Sequence, residues 1–162
     1  MQYAVPYLAI EKAATHTHHK NSYPAPSAED IYQLIKKRKE NKDFAGSFIV
    51  AFNGEKYALS ITDWEKARNF LNTEGAFLNG EKWKEDSEIG KAFEKAYKYF
   101  ENGNPSKKNF AYEMAMASVL NQSDTGVTIN KKDASGNFKP IVIKTYPDLR
   151  KPKKTIYILD CL

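Results

Sequence analysis

Cysteine and long apolar runs are nearly absent from this sequence. Cys161 is the single cysteine among 162 residues, so no internal disulfide can form and nothing indicates an oxidising compartment. No segment approaches the roughly 18 apolar residues of a membrane span. The apolar first ten residues lack a positively charged start and end at Glu11 and Lys12, which is too short for a secretory leader. The sequence therefore predicts a chain that works in the cytoplasm.

Sequence motifs of well-known chemistry are also missing. There is no GxxxxGK[ST] or GxGxxG phosphate loop, no GxSxG elbow, no zinc-finger spacing and no RRM or KH motif. Arginine is scarce, with only Arg38, Arg68 and Arg150. Because arginine gives bidentate recognition of bases and phosphates, this scarcity argues against sequence-specific reading of DNA. No cofactor is expected from the sequence.

The composition is nevertheless that of a folded protein. Hydrophobic residues make up 41% and aromatic residues 13% of the chain, which is enough for a core. The predicted element order is β-α-β-β-α-α-α-β-β-β, with a first strand over residues 2–10. The loop 11–27 and the turn 145–154 are expected to be mobile.

This order groups the helices between two sets of hairpin strands. The pattern predicts a single α+β domain over residues 1–162. Its antiparallel sheet would be built from two hairpins plus terminal strands, and three to four helices would pack on one face.

The strongest local signal is a hairpin around the Asn-Gly pair at positions 53–54. This pair predicts a two-residue type I′ turn between FIVAF and EKYALSI. In that register Val50 faces Tyr57 and Phe48 faces Leu59, and these four side chains share one apolar face.

Helix signals lie on either side of this hairpin. Ser27 is expected to cap a helix whose first turn carries Glu29 and Asp30. Residues 87–101 carry a full helical apolar stripe. The following helix, rich in small residues around MAMAS, is apolar over a wide arc and is expected at the centre of the fold.

All three histidines, His16, His18 and His19, lie within four positions. If the backbone is extended there, His16 and His18 point to the same side. An HxHxDH hydrolase needs an aspartate before the last histidine, and structural zinc needs four ligands, so no metal site is expected. Two interpretations remain: a metal-independent ribonuclease-like site using His16 or His18 as acid or base with a nearby lysine, or a solvated loop.

The net charge of +5 is concentrated in two segments. Residues 131–154 carry eight basic side chains against Asp133 and Asp148. Those eight are Lys131, Lys132, Lys139, Lys144, Arg150, Lys151, Lys153 and Lys154. A second cluster ends the first helix and consists of Lys36, Lys37, Arg38, Lys39 and Lys42.

These two clusters favour a non-enzymatic binding protein that engages nucleic acid or a nucleoprotein complex through phosphate contacts. Mobile elements encode accessory and inhibitor proteins of this type. The alternative is the small metal-independent ribonuclease or toxin domain with His16 or His18. A third hypothesis is a protein–protein adaptor that docks on an acidic partner.

Overall fold

A computed structural model describes residues 12–74, 78–148 and 151–160. Its helices are α1 (Ala28–Glu40), α2 (Trp64–Glu74), α3 (Glu88–Glu101) and α4 (Lys108–Gln122). Its strands are β1 (Ala13–His18), β2 (Gly46–Ala51), β3 (Lys56–Ile61), β4 (Leu78–Asn79), β5 (Lys82–Trp83), β6 (Val127–Lys132), β7 (Phe138–Pro140), β8 (Val142–Asp148) and β9 (Lys151–Asp160). None of the described helices combines the length and the apolar character needed to cross a membrane.

The main sheet has five strands in the order β1-β2-β3-β6-β7. Strands β1 and β2 are parallel, and the other neighbours are antiparallel. The parallel pair follows from the β1-α1-β2 connection, because a helix returns the chain to the end of the sheet at which it started. Helices pack on this sheet, so the predicted α+β class is confirmed.

The edge strand β1 corrects one prediction. Residues 11–27 were expected to form a loop, but Ala13–His18 pairs with β2 from Ala13 opposite Gly46 to His18 opposite Ala51. Thr15 and Thr17 are β-branched and suit an extended backbone. The strand predicted over residues 2–10 lies outside the described residues.

The turn of the β2–β3 hairpin contains three residues rather than two. The Gly54 N–H donates to the Ala51 carbonyl at 2.9 Å, and the Ala51 N–H donates to the Glu55 carbonyl at 2.9 Å. Gly54 adopts a φ of 86°, which favours glycine. This arrangement is a type I turn followed by a left-handed residue, the common three-residue hairpin loop.

The longer loop shifts the register by one residue. Ile49 faces Tyr57 and Phe48 faces Ala58, so the predicted pairing of Phe48 with Leu59 is wrong. Because side chains alternate along a strand, this shift turns Ile49 into the core and Phe48 to the outer face. Ile49 is fully buried, whereas Phe48 is 39% exposed and contacts Phe138 there.

Helix α4 lies at the centre, as its small-residue pattern predicts. Every residue from Ala111 to Leu120 is buried. Helix α3 packs against it after a Ser87 cap and ends at Asn102, whose φ of 49° is left-handed.

The C-terminal part departs from its prediction. Strands β6 and β7 form the expected hairpin, with Lys132 opposite Phe138. The predicted turn over 145–154 is instead largely strand, because β8 extends to Asp148 and β9 begins at Lys151. The alternating β-branched and aromatic residues of IVIKTY and TIYIL favour this pairing.

The register can be tested by truncating neighbouring side chains of β2. We expect Ile49→Ala to lower the free energy of unfolding by about 2–5 kcal/mol, because it leaves a cavity in the core. Phe48→Ala should cost less than about 1 kcal/mol, since Phe48 is partly solvated. Urea denaturation measures both values, and a larger loss for Phe48→Ala would restore the predicted register.

Candidate active site

His16 and His18 point together toward α1. They alternate with Thr15 and Thr17 along β1, so both rings lie on the inner face of the sheet edge. Their Nε2 atoms are 3.2 Å apart. The His16 side chain is 38% exposed and that of His18 is 10% exposed, so the pair lies at the boundary between core and solvent.

The third member of the cluster is Asp30, in the first turn of α1. The Ser27 N–H and hydroxyl donate to Asp30 Oδ2 at 2.7 and 2.8 Å, and the Asp30 N–H donates to Ser27 Oγ. This reciprocal capping box confirms Ser27 as the helix cap. It also fixes the carboxylate beside the rings, with Asp30 Oδ1 at 2.9 Å from His16 Nε2 and Oδ2 at 3.2 Å from His18 Nε2.

The tautomer of His18 follows from its other nitrogen. Nδ1 lies 2.8 Å from the carbonyl oxygen of Tyr23, which can only accept a hydrogen bond. The Nδ1 atom therefore carries a proton. In the neutral ring, Nε2 then presents a lone pair to His16 and Asp30.

The electrostatics of the cluster favour charge of opposite sign on its members. Burial raises the pKa of Asp30, but hydrogen bonds from His16, His18 and Ser27 outweigh it and hold that pKa well below its usual range. Burial lowers the pKa of His18, yet Asp30 and the Tyr23 carbonyl leave it raised overall. The Asp30 carboxylate is therefore ionised at neutral pH and attracts a cation.

Two open pockets border the cluster. The first, of about 510 Å³, is lined by both histidines and Asp30, with Glu81, Lys82 and Tyr112 around them. The second, of about 370 Å³, reaches His16 and Asp30 from the other side and includes Lys37. Ligands can thus approach the cluster from solvent on either side.

His16, His18 and Asp30 are the residues that could hold a metal ion in the described part of the chain. Too few ligands are visible in the histidine segment, and this was the reason for expecting no metal site. Asp30 adds a third possible ligand atom to the pair. The capping pattern SAED in the sequence predicts that Asp30 lies in the first turn of α1. Only the fold brings its carboxylate into contact with the histidines.

Lys131, which the sequence predicts to contact a phosphate or a partner, is paired with two carboxylates of the chain itself. Its Nζ lies 2.5 Å from Glu55 Oε1 and 2.6 Å from Glu113 Oε2, and 5.4 Å from the centre of the Tyr57 ring. Glu113 is buried and also accepts a hydrogen bond from the Tyr57 hydroxyl at 2.5 Å. Lys131 therefore neutralises a buried carboxylate of α4.

The remaining described residues of this basic segment are distributed over four strands. Lys132 is exposed at the end of β6, Lys139 in β7 pairs with Asp133 at 3.2 Å, and Lys144 is exposed in β8. Arg150 lies outside the described residues. The backbone of Lys151, Lys153 and Lys154 lies in β9, and their side chains are outside the description.

The basic end of α1 is partly occupied by contacts with the following loop. Lys37 lies over the Phe44 ring at 5.4 Å, and Arg38 donates to the Phe44 carbonyl at 3.1 Å. Lys36 and Lys39 are exposed. After α1 the chain enters β2 at Gly46, which lies opposite Ser60 near the C-terminal end of β3. Lys131 lies opposite Tyr57, near the N-terminal end of β3. The end of α1 and Lys131 thus lie toward opposite ends of β3.

In comparisons with known proteins, no family model matches this sequence, and no curated protein or solved structure matches it either. Functional inference therefore starts from the chain's own side chains.

Removing the Lys131 charge should destabilise the fold. We expect Lys131→Met to lower the free energy of unfolding by about 1–3 kcal/mol, because Glu113 then stays buried without its cation. The matched control Lys132→Met should stay within about 0.5 kcal/mol of the wild type. Thermal and urea denaturation measure both, and equal stabilities would show that the Lys131 pairs contribute nothing.

Glu55 provides a pH dependence with a defined sign. Burial raises its pKa, but contacts with Lys131, Asn53 and Tyr57 outweigh burial and lower it. Its contribution to stability is therefore present above its unfolded-state pKa of about 4.3 and is lost as the pH falls through the lower folded-state value. The stability difference between the wild type and Glu55→Gln should shrink between about pH 7 and pH 3. A difference that grows on acidification would contradict this.

Proposed function

We propose that this protein is a hydrolase of phosphodiesters, with its active site at the cluster of His16, His18 and Asp30. The observation that carries the proposal is the convergence of two imidazole nitrogens and one ionised carboxylate within 3.2 Å at the wall of an open pocket. Preorganised polar groups at one point are what positioning and activating a water molecule require. A solvated loop would leave these rings apart.

The chemistry is attack of an activated water on phosphorus. The three side chains orient the water at the point where they converge and promote transfer of its proton to solvent. The new bond forms between the water oxygen and phosphorus, the bond to the leaving alkoxide breaks, and solvent supplies the proton that the alkoxide takes up. Lys82, at the rim of the larger pocket, would stabilise the additional negative charge on the phosphate oxygens.

The net charge of the chain and the lysines of the two pockets favour a phosphodiester substrate. The chain carries a net charge of +5, which attracts polyanions from solution. Lys82 and Lys37 line the two pockets on either side of the cluster. Glu29 also lines both pockets and Glu81 lines the larger one, so the two lysines supply only part of the positive charge that a phosphate there requires.

A neighbouring aromatic cavity suits the base of a nucleotide. It has a volume of about 140 Å³ and is lined by Tyr23, Trp83, Phe93, Tyr97 and Tyr112. A cavity of about 150 Å³ holds one six-membered ring. Among the described residues, the buried Trp83 Nε1–H has no hydrogen-bond partner. Tyr23, Lys82 and Tyr112 also line the histidine pocket, so one nucleotide could reach both.

The two other hypotheses from the sequence stay predictions. Non-enzymatic binding of nucleic acid would rely on the basic clusters, and two of their cations, Lys131 and Lys139, are paired with carboxylates. The adaptor hypothesis needs an acidic protein partner, which the pocket does not require. Neither explains the ordered contact of His16, His18 and Asp30.

The proposal is tested by cleavage assays with bis(p-nitrophenyl) phosphate, single-stranded RNA and single-stranded DNA, with and without added divalent cations. We expect cleavage of at least one substrate by the wild type. His16→Ala and Asp30→Asn should each lower the rate at least about 100-fold, because each removes a group that positions the water. His19→Ala, which changes an exposed histidine that lines the same pocket but lies outside the cluster, is the matched control and should lower the rate far less than either.

Two outcomes would overturn this function: no cleavage of any substrate, or cleavage that His16→Ala and Asp30→Asn leave unchanged. RNA or DNA binding without cleavage, weakening steeply as salt rises, would instead favour the non-enzymatic binding protein.

A further inference from the structure

We propose that His16 Nε2, His18 Nε2 and the Asp30 carboxylate bind one divalent first-row transition-metal ion of the zinc type. This site rests on the proposed function in one respect, since the ion would activate the water of that reaction. Binding of the ion is nevertheless measurable without any substrate.

The distances within the cluster are those of ligands around one ion. Imidazole nitrogens and carboxylate oxygens bind Zn²⁺ at about 2.0–2.2 Å. Neighbouring ligands at that distance are about 3.3 Å apart in a tetrahedral site and about 3.0 Å apart in an octahedral site, from the same bond lengths. The two histidine nitrogens are 3.2 Å apart, His16 Nε2 lies 2.9 Å from Asp30 Oδ1, and His18 Nε2 lies 3.2 Å from Asp30 Oδ2, so the carboxylate faces the pair with both of its oxygens.

The orientation of the donor atoms points to a cation at the centre. The Tyr23 carbonyl accepts the Nδ1 proton of His18, so the neutral ring directs the Nε2 lone pair inward. The Asp30 oxygens are acceptors as well. In the hydrogen-bonded form, a proton on His18 Nε2 joins the ring to the Asp30 carboxylate. Without that proton, the lone pairs of His18 and Asp30, only 3.2 Å apart, repel each other unless another positive charge lies between them. A metal ion supplies that charge.

The residues behind the ligands are those of metal sites. A ligating histidine usually donates its other nitrogen to a carbonyl or carboxylate, which fixes the ring and its tautomer, and His18 does so to Tyr23. Ligating carboxylates are usually hydrogen-bonded too, and Asp30 accepts from the Ser27 N–H and hydroxyl. Two of the three ligands are therefore held in place by neighbours that take no part in binding the ion.

The ligand types select the metal. Two imidazoles with one carboxylate suit zinc, iron, cobalt and nickel, whereas calcium and magnesium prefer all-oxygen sites. Three protein ligands leave at least one coordination position for water, as in catalytic rather than structural zinc sites. The two pockets beside the cluster provide room for that water and for a substrate.

A bound ion would define how the proposed reaction begins. Its positive charge lowers the pKa of a bound water toward about 7, so that a hydroxide is present at neutral pH. The histidine nitrogens then serve as ligands rather than as acid and base. Asp30 and the histidines orient the ion toward the pocket.

The test uses the chelator-treated chain of 162 residues, with Zn²⁺ in isothermal titration calorimetry and Co²⁺ in visible absorption. We expect one ion per chain and a Co²⁺ d–d spectrum typical of a nitrogen-containing site. His16→Ala and Asp30→Asn should each weaken Zn²⁺ binding at least about 10-fold, the size of effect seen even for residues behind metal ligands. His19→Ala is the control and should bind as the wild type, and Mg²⁺ should not compete with Zn²⁺.

Thermal denaturation keeps the test decisive if a variant folds poorly. Zn²⁺ should raise the Tm of the wild type and of His19→Ala but leave that of His16→Ala unchanged. Asp30→Asn retains an oxygen that can accept from Ser27, so its fold should survive.

Absence of Zn²⁺ and Co²⁺ binding, or binding that His16→Ala and Asp30→Asn do not weaken, would overturn the metal site. Metal binding without hydrolysis would leave the site intact and overturn only the proposed function. Hydrolysis that is insensitive to chelator would overturn the metal site and leave the proposed function intact.

Discussion

The carboxylate of Asp30 joins the first helix, the edge strand of the sheet and the candidate active site. Its hydrogen bonds with Ser27 fix where α1 begins, and the positive end of the helix dipole stabilises its charge. The same oxygens contact both histidines of β1. A change that moves the helix start would therefore also displace a reactive group. The helix cap and the proposed active site thus depend on one side chain, so the Ser27–Asp30 pair constrains the whole β1-α1 unit.

A second ionic contact lies at the other side of the core and limits what the basic segments can do. Glu113 lies on the fully buried stretch of α4, where an ionised carboxylate without a partner would be costly. Lys131 and the Tyr57 hydroxyl provide its partners, and burial together with the nearby Glu113 charge raises the pKa of Tyr57 strongly. The cation that began the basic segment in the sequence is thus an internal counter-ion. The excess charge left for a polyanion comes from other lysines, including those beside the histidine pockets.

Prediction from the sequence succeeded where the signal is local and failed where two local solutions compete. The cap at Ser27 and the buried stretch of α4 follow from capping chemistry and apolar pattern, and the structure contains them. The Asn-Gly pair fits both a two-residue and a three-residue hairpin loop, and packing of Ile49 and Tyr57 into the core decides between them. Strand β1 was missed because an edge strand has few apolar residues, and its pairing with β2 depends on the α1 crossover.

By itself the sequence determined the α+β class, the positions of most helices and the shared orientation of His16 and His18 on any extended backbone. These features depend on neighbours within a few residues, where helix and strand periodicity act. Only the tertiary structure decided that Asp30 completes the histidine pair and that Lys131 is neutralised by Glu55 and Glu113. Charge pairing depends on distance in space and on the low polarity of the surroundings, and neither can be read from spacing along the chain.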